Sequence, residues 1–322
     1  KELTMKIGII GCGLIGSKRA LCYPEKVKSV YDINPKLALA LSKEINCIAA
    51  ESLEEILNDK DIKYLIIAVP HNMLFEIAKK GIKHNKNLLI EKPGCISLDE
   101  AKELQQLQAK NKDLRIHIGF NHRFHPSFIE IKKELKNSDY GQLMFIRGRY
   151  GHGGRLGYEK EWRANKSISG GGELIDQGSH LIDLSLVFDK KFNLNSCVLD
   201  TFFWNMEVED NAFVCLKSKK ATSWLHASWT EWKNLFSFEI YYEKAKFHVE
   251  GLGGSYGEEK LTKYFMSDKM GIPEIKIHNY NQTDLSWKVE LDCLLAENNT
   301  YIEPCQINDL VKIWTIIEET KK

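Results

Sequence analysis

The chain has 322 residues, enough for two domains that each bury a core of their own. Its 45 Lys and Arg against 44 Asp and Glu leave a net charge of +1, so no global field draws in nucleic acid or an acidic membrane. No apolar run approaches a membrane span, no charged-then-apolar leader opens the chain, and its eight cysteines form no C-x-x-C pair. That pattern predicts a cytoplasmic protein whose reduced thiols are small core residues, as at Cys47, Cys197 and Cys215.

The first element is an Ile-rich run at residues 6–10 that breaks into Gly11-x-Gly13-x-x-Gly16. Gly11 suits a tight strand-to-helix turn, and Gly13 lets bare backbone approach a phosphate. Gly16 lets the helix pack close to the strand, and free N–H groups at the helix start, at Leu14 and Ile15, complete a pyrophosphate cradle. A second apolar run, residues 27–31, ends in Asp32. Its carboxylate suits ribose hydroxyls and repels a 2′-phosphate, and the residues after it are Ile33, Asn34 and Pro35, not arginine. The combination predicts a dinucleotide site that prefers NAD to NADP. The plainer alternative for Asp32 is a turn cap, since Asp-x-Asn-Pro also starts helices well. Cys12 lies inside the loop, where a redox role competes with simple packing.

Strand and helix then alternate. A Pro35-started helix leads to a short strand near 47–49, a helix from Ser52, and a buried strand at 64–69 stopped by Pro70. A helix to about His84, a strand at 87–91, a helix opened by the capping box Ser97-Leu98-Asp99-Glu100 and a strand at 114–119 complete the series. This predicts an α/β Rossmann domain with a doubly wound parallel sheet. Ligands of such sheets bind beyond the strands' carboxyl ends, so Gly11, Asp32, Pro70, Lys92 and Phe120 share one rim. In Glu91-Lys92-Pro93, the Lys92 ammonium is placed to bond a substrate oxygen and to stabilise alkoxide charge. A solvated loop lysine is the alternative.

From about residue 140 the pattern changes to strands rich in aromatic and β-branched residues, at 143–150, 195–204, 212–217, 222–229, 236–242 and 246–251. Helices at 285–297 and 308–319 close an α+β domain with a mostly antiparallel sheet. Apolar residues at both parities of Phe213-Val214-Cys215-Leu216 predict a sheet covered on both faces, by a helix and by another subunit. Before that sheet's later strands, Asp176 and His180 stand i, i+4 apart, on one face of any helix that begins there. A carboxylate beside an imidazole fixes its tautomer and suits a general base; Asp183 is a second candidate partner. No third ligand accompanies the pair, so no metal site is predicted. Residues 150–166 bring Arg155, Lys160, Arg163 and Lys166 together with Tyr150, Tyr158 and Trp162, a set suited to a sugar ring and an anionic group. An ordinary charged loop is the alternative.

Taken together the chain resembles the Gfo/Idh/MocA family of NAD(P)-dependent sugar and polyol oxidoreductases. The resemblance rests on the glycine motif, on Ala68-Val69-Pro70-His71-Asn72, on Glu91-Lys92-Pro93, on Gly119-Phe120-Asn121-His122-Arg123-Phe124 and on the run from Gly171 to His180. It implies an NAD-binding Rossmann domain over 1–120 and, over 121–322, a substrate-binding and oligomerisation domain with a large open, mostly antiparallel sheet. It also implies Lys92, Asp176 and His180 as the catalytic group. Pro70, Asn72, Glu91, Lys92 and Asn121 join the glycine loop and Asp32 in the cofactor set, and Arg123, Tyr158, Trp162 and Arg163 contact substrate. The implied substrate is a sugar, and residues 150–166 look similar to members working on nucleotide-linked sugars. A homodimer or homotetramer through the C-terminal sheet is expected. The same resemblance includes NAD-dependent glycosidases that oxidise a sugar transiently; a non-catalytic NAD-binding sensor is a further alternative.

Overall fold

The computed structural model describes residues 5–267, 269, 271–280, 284–295 and 301–321. The chain divides into two compact units, the first built from residues 5–121 with 287–295 and 304–314, the second from 122–286 with 301–303 and 315–321.

In the first unit, β1 (Lys6–Ile10), α1 (Leu14–Cys22), β2 (Val27–Tyr31), α2 (Pro35–Ile45), β3 (Ile48–Ala49) and α3 (Leu53–Asn58) are followed by β4 (Ile62–Ile67) and α4 (His71–Lys83). Then come β5 (Asn87–Glu91), α5 (Leu98–Lys110) and β6 (Ile116–Gly119). The strands that the apolar runs predict therefore form, with ends shifted by one or two residues. Their sheet order is β6-β5-β4-β1-β2-β3, all parallel, because each central strand is apolar on both faces and helices cover both. Ser97 caps α5 as the sequence predicts: its Oγ accepts the Glu100 N–H at 3.2 Å, and Glu100 Oε2 accepts the Ile96 N–H at 2.9 Å.

The second unit holds α6 (Pro126–Asn137), β7 (Leu143–Gly151), the single turn α7 (Lys166–Ser169), a π-wound segment (Leu174–Gly178) and α8 (Ser179–Phe188). It continues with β8 (Asn193–Asp200), β9 (Asn211–Lys217), β10 (Thr222–Ser228), β11 (Leu235–Tyr242), β12 (Ala245–Glu250), β13 (Glu259–Phe265) and β14 (Glu274–Tyr280). The eight strands lie in the order β14-β13-β12-β11-β7-β10-β9-β8, antiparallel except for the β7–β10 pair. One face is packed: Phe128 of α6 meets Phe236 and Phe238, and Ser185 of α8 bonds Ser223 at 3.0 Å. The other face is open. Val214 and Leu216 point inward, whereas Phe213, Trp224 and Val198 are exposed on the open side.

Several expectations are corrected here. Strand β8 ends at Asp200 instead of reaching 204, because the buried Asp210 carboxylate gathers the N–H groups of Phe202, Phe203 and Trp204 at 2.8–3.0 Å and turns the chain. Strands β13 and β14 and helix α6 are additional. Residues 301–303 and 315–321 group with the second unit, whereas 287–295 and 304–314 group with the first. There α9 (Ser286–Leu295) adds Leu291, Leu294 and Leu295 to the core around Ile7 and Ile9. The two-residue β15 (Cys305–Gln306) pairs antiparallel with β6, and α10 (Ile307–Glu319) begins directly after it. Trp314 of α10 donates to the Pro93 carbonyl at 3.1 Å. The predicted helix end at residue 297 lies outside the described residues. Among those described, no helix is long and apolar enough to cross a membrane.

Candidate functional site

The glycine loop is shaped by close approach. Gly11 has φ +93°, and a Cβ there would stand 2.2 Å from the Ala68 carbonyl oxygen; at Gly16 it would stand 1.8 Å from the Gly11 oxygen. At Gly13 a Cβ would meet nothing within 4 Å, so the backbone opens onto free space at the start of α1. That helix has no side-chain cap and no acid in its first turn, which leaves its N–H groups, with Leu14 exposed and Ile15 half-buried, for an anion. A pyrophosphate fits such a cradle.

Asp32 is fixed against this loop. Its Oδ2 accepts the Cys12 N–H at 2.7 Å and its Oδ1 accepts the Asn34 N–H at 2.8 Å. Asp32 thus closes a turn through Asn34 and is bonded to Cys12 of the glycine loop. Cys12 is buried, and burial followed by the nearby Asp32 pushes its thiol up to about 12. The thiol stays protonated at neutral pH, which argues for packing and against redox chemistry.

Pro70 and Asn72 lie exposed where β4 gives way to α4, and Asn121 is buried just past β6. Lys92 is half-buried at the end of β5, directly before a cis peptide bond to Pro93. Glu91 turns away from this rim. Its carboxylate takes the Nε and Nη2 of Arg19 at 2.7 Å, and Arg19 Nη1 reaches Glu290 at 2.7 Å. Glu91 thereby holds its strand to α1. Arg19 carries no motif signal; on sequence it reads as one more charge on a helix.

The second unit contributes a buried aromatic and histidine cluster. The i, i+4 helix expected at Asp176 and His180 is instead π-wound through Gly178, and α8 starts only at Ser179. Glu209 sets this up: its Oε1 accepts the N–H groups of Gly172 and Leu174 at 3.1 Å, and its carbonyl accepts the Glu173 N–H. Burial raises the Glu209 pKa against the pull of those N–H groups. His180 stacks on His122 with ring centroids 3.9 Å apart, and Tyr150 stands edge-on to His180 at 6.0 Å. Gln177 lies 2.6 Å from Glu173 Oε1, which requires its amide nitrogen there, so its oxygen accepts from the Tyr256 hydroxyl at 2.9 Å. Burial holds the Tyr150 hydroxyl well above its ordinary pKa and pushes Tyr256 up to about 12. Tyr150 thus belongs to this cluster more than to the loop that follows it. His122, Gln177 and Tyr256 received no role on sequence, although the two histidines of the His122–His125 run are a usable signal.

Asp176 Oδ2 lies 3.4 Å from Arg163 Nε, and the Arg163 guanidinium covers the Trp162 ring at 4.5 Å. Arg155 pairs with Glu161 at 2.7 Å. Two of the four cations in residues 150–166 are thereby matched within the chain, so the segment is less electropositive than its cation count implies. Tyr158 is buried against Trp229 and Val208, a packing position. Arg123 is buried too: its Nε and Nη2 grip Asp183 at 2.8 and 2.5 Å, and Nη1 donates to the Glu303 carbonyl. This geometry lends the substrate role of Arg123 no support, and it assigns Asp183 to Arg123 as its partner.

Two family models match the chain. One, an oxidoreductase family with an NAD-binding Rossmann fold, covers residues 5–120. The other, the GFO/IDH/MocA C-terminal domain, covers residues 128–248. The chain belongs to the Gfo/Idh/MocA family. Among curated members, it is 27% identical over 214 residues to levoglucosan dehydrogenase of Pseudarthrobacter phenanthrenivorans, covering 62% of this chain and 55% of that protein. It is 32% identical over 186 residues to glucose-6-phosphate 3-dehydrogenase of Bacillus subtilis, covering 56% and 52%. The match thus spans about half the length of these curated relatives. A solved levoglucosan dehydrogenase in complex with NADH has the same fold, at TM-score 0.85 and 21% identity over 98% of this chain and 97% of that one. A UDP-N-acetylglucosamine 3-dehydrogenase of Acidithiobacillus ferrooxidans also shares it, at TM-score 0.79 and 17% identity over 98% and 96%.

Proposed function

We propose that this Gfo/Idh/MocA chain is an NAD-dependent dehydrogenase acting on a secondary alcohol or ketone of a sugar or polyol. The observation that carries the reading is the open cradle at Gly13 with Asp32 bonded to the adjoining Cys12 N–H, in a chain of this family. When bound, the nicotinamide supplies the hydride acceptor or donor. The chain's own residues then handle the substrate oxygen. A His180 ring nitrogen takes the hydroxyl proton as the carbonyl forms, and Asp176 in the preceding turn favours the resulting imidazolium. Lys92 is the donor proposed to steady alkoxide charge. In reduction the same groups return the proton.

The finer reading is a substrate with an anionic part, phosphorylated or nucleotide-linked, met by residues 150–166. Its support is Arg163 beside Trp162 and the likeness to a glucose-6-phosphate 3-dehydrogenase and a UDP-N-acetylglucosamine 3-dehydrogenase. The exposed Phe213, Trp224 and Val198 support a homodimer or homotetramer through the open sheet face.

The test is NADH formation from NAD⁺ with polyols, free sugars, sugar phosphates and nucleotide sugars. Turnover of at least one is expected. NAD⁺ binding with no turnover across the panel would leave a sensor, and NAD retained through gel filtration without net NADH would indicate a glycosidase.

A further inference from the structure

The open face of the eight-stranded sheet carries a pocket of about 460 Å³, within the size range of small-molecule sites. Arg147 and Arg149 of β7, Trp224 and His226 of β10, Ser237 and Glu239 of β11 and His248 of β12 line it. The strand register sets this arrangement. Arg149 lies opposite His226 on one side and Ser237 on the other, and Arg147 lies opposite Trp224 and Glu239. Side chains alternate along a strand, so the next residues, Tyr150 and Phe236, meet on the packed face, where Tyr150 stands edge-on to His180. The pocket is therefore on the opposite side of the sheet from the proposed base.

The charges in the pocket do not balance. Glu239 already takes two cations, Arg147 at 2.9 Å and Lys246 at 2.7 Å. Glu250 takes Lys260 at 2.6 Å, and Glu231 stands 4.0 Å from His226 Nδ1. Arg149 is exposed and makes no hydrogen bond or ion pair among the described residues. The walls around it are fixed: His226 Nε2 is 2.9 Å from Asn211 Oδ1, and His248 Nε2 is 2.9 Å from Ser237 Oγ. We propose that this pocket binds a phosphate group, taken by the Arg149 fork beside the Ser237 hydroxyl, with the Trp224 ring as a flat wall for whatever the phosphate is attached to. A dianion suits a lining with two guanidinium groups and one carboxylate that is already paired. A second copy laid over this face would bury Arg149, and the ion then supplies the counter-charge that burial demands.

The test adds inorganic phosphate to the NADH-loaded protein at constant ionic strength, so that the glycine loop is occupied. Imidazole resonances are followed by NMR and assigned through His226→Gln and His248→Gln. Phosphate should shift the His226 and His248 signals saturably and raise their titration steps, because an anion beside an imidazole favours its charged form. Acetate, a monoanion, should bind more weakly. Arg149→Met should weaken phosphate binding by about tenfold or more, the scale of a lost hydrogen bond to a charged group. If Arg149→Met does not fold, Arg149→Lys keeps the charge, loses the fork and should show a smaller weakening. Phenyl phosphate separates the two sources of the group. Tighter binding than inorganic phosphate, removed by Trp224→Ala, makes the ligand a phosphate ester, and equal affinity makes it the free ion. Unmoved His226 and His248 signals, acetate binding as tight as phosphate, or binding that Arg149→Met leaves intact overturns the proposal. Loss of binding in Arg163→Ala instead would place the ion in residues 150–166. A dimer that falls apart in Arg149→Met, with no response to phosphate in the wild type, would give Arg149 a carboxylate of the second copy as its partner and overturn the proposal too.

Discussion

Arg19 and Glu91 meet at 2.7 Å inside the first unit, tying the helix behind the glycine loop to the strand that ends just before Lys92. Glu290 of α9 takes the other side of the same guanidinium, and the Trp287 indole lies 4.4 Å from it. Burial disfavours the charge of Arg19, but the two carboxylates outweigh burial and hold its pKa above the ordinary value.

Replacing Arg19 with Met should leave two buried carboxylates without their cation. The expected cost is about 3–5 kcal/mol in denaturant unfolding, because the desolvation of both carboxylates remains after the attraction is gone. Adding Glu91→Gln and Glu290→Gln to Arg19→Met should recover part of that loss. A single-variant cost under about 1 kcal/mol would mean that the carboxylates rehydrate freely.

His117 makes the first unit acid-sensitive. It is buried in β6, its Nδ1 has no hydrogen-bond partner among the described residues, and burial with the nearby Arg115 lowers its pKa from 6.5 to about 4. The unfolded chain therefore binds the proton first. Stability from neutral His117 is full above about pH 6.5 and is lost as pH falls toward 4, by about 3 kcal/mol in all. His117→Gln should flatten that slope in unfolding curves taken between these pH values. An unchanged slope would place the acid sensitivity elsewhere.

Cofactor preference should follow Asp32. NADH should bind more tightly than NADPH by fluorescence quenching. Asp32→Asn keeps an acceptor for the Cys12 N–H while removing the charge, so it should narrow the gap by about tenfold, or roughly 1.4 kcal/mol. Tighter NADPH binding by the wild type would refute the electrostatic argument.

The glycine loop, Asp32 and the parallel strands were legible because each is a local pattern, and the local pattern is what the fold uses. Strand β13 was hidden because Glu259 and Lys263 occupy inward positions. Each is buried with partners on another element, Glu259 with His125 and Lys263 with Glu130 and Glu134, so the apolar alternation disappears from the sequence. The π winding before α8 depends on Glu209, dozens of residues downstream, and no spacing rule within 174–178 announces it. Arg19 was illegible for the same reason, since both its carboxylates are distant in sequence. The return of residues 304–314 to the first unit begins in a two-residue strand, too short to carry a period of its own.

The Arg163–Asp176 pair divides two roles for residues 150–166. If Arg163 reads an anionic group on the substrate, Arg163→Ala should raise KM for a phosphorylated or nucleotide sugar. The rise should correspond to about 1.5–3 kcal/mol, the scale of a hydrogen bond to a charged group, with NADH affinity and kcat nearly unchanged. Added salt should weaken the wild type toward the variant, because Arg163 is about one-third exposed and its field is screened. If Arg163 acts instead through Asp176, the same change should lower kcat on neutral and anionic sugars alike. It should also move the pH profile, since Asp176 then exerts its full charge on the His180 segment. Arg163→Lys separates the cases further, keeping the charge and losing the planar stack on Trp162. Equal kinetics for neutral and anionic sugars, with no effect of either Arg163 variant, would make the pair an ordinary surface contact and remove the anion from the substrate assignment.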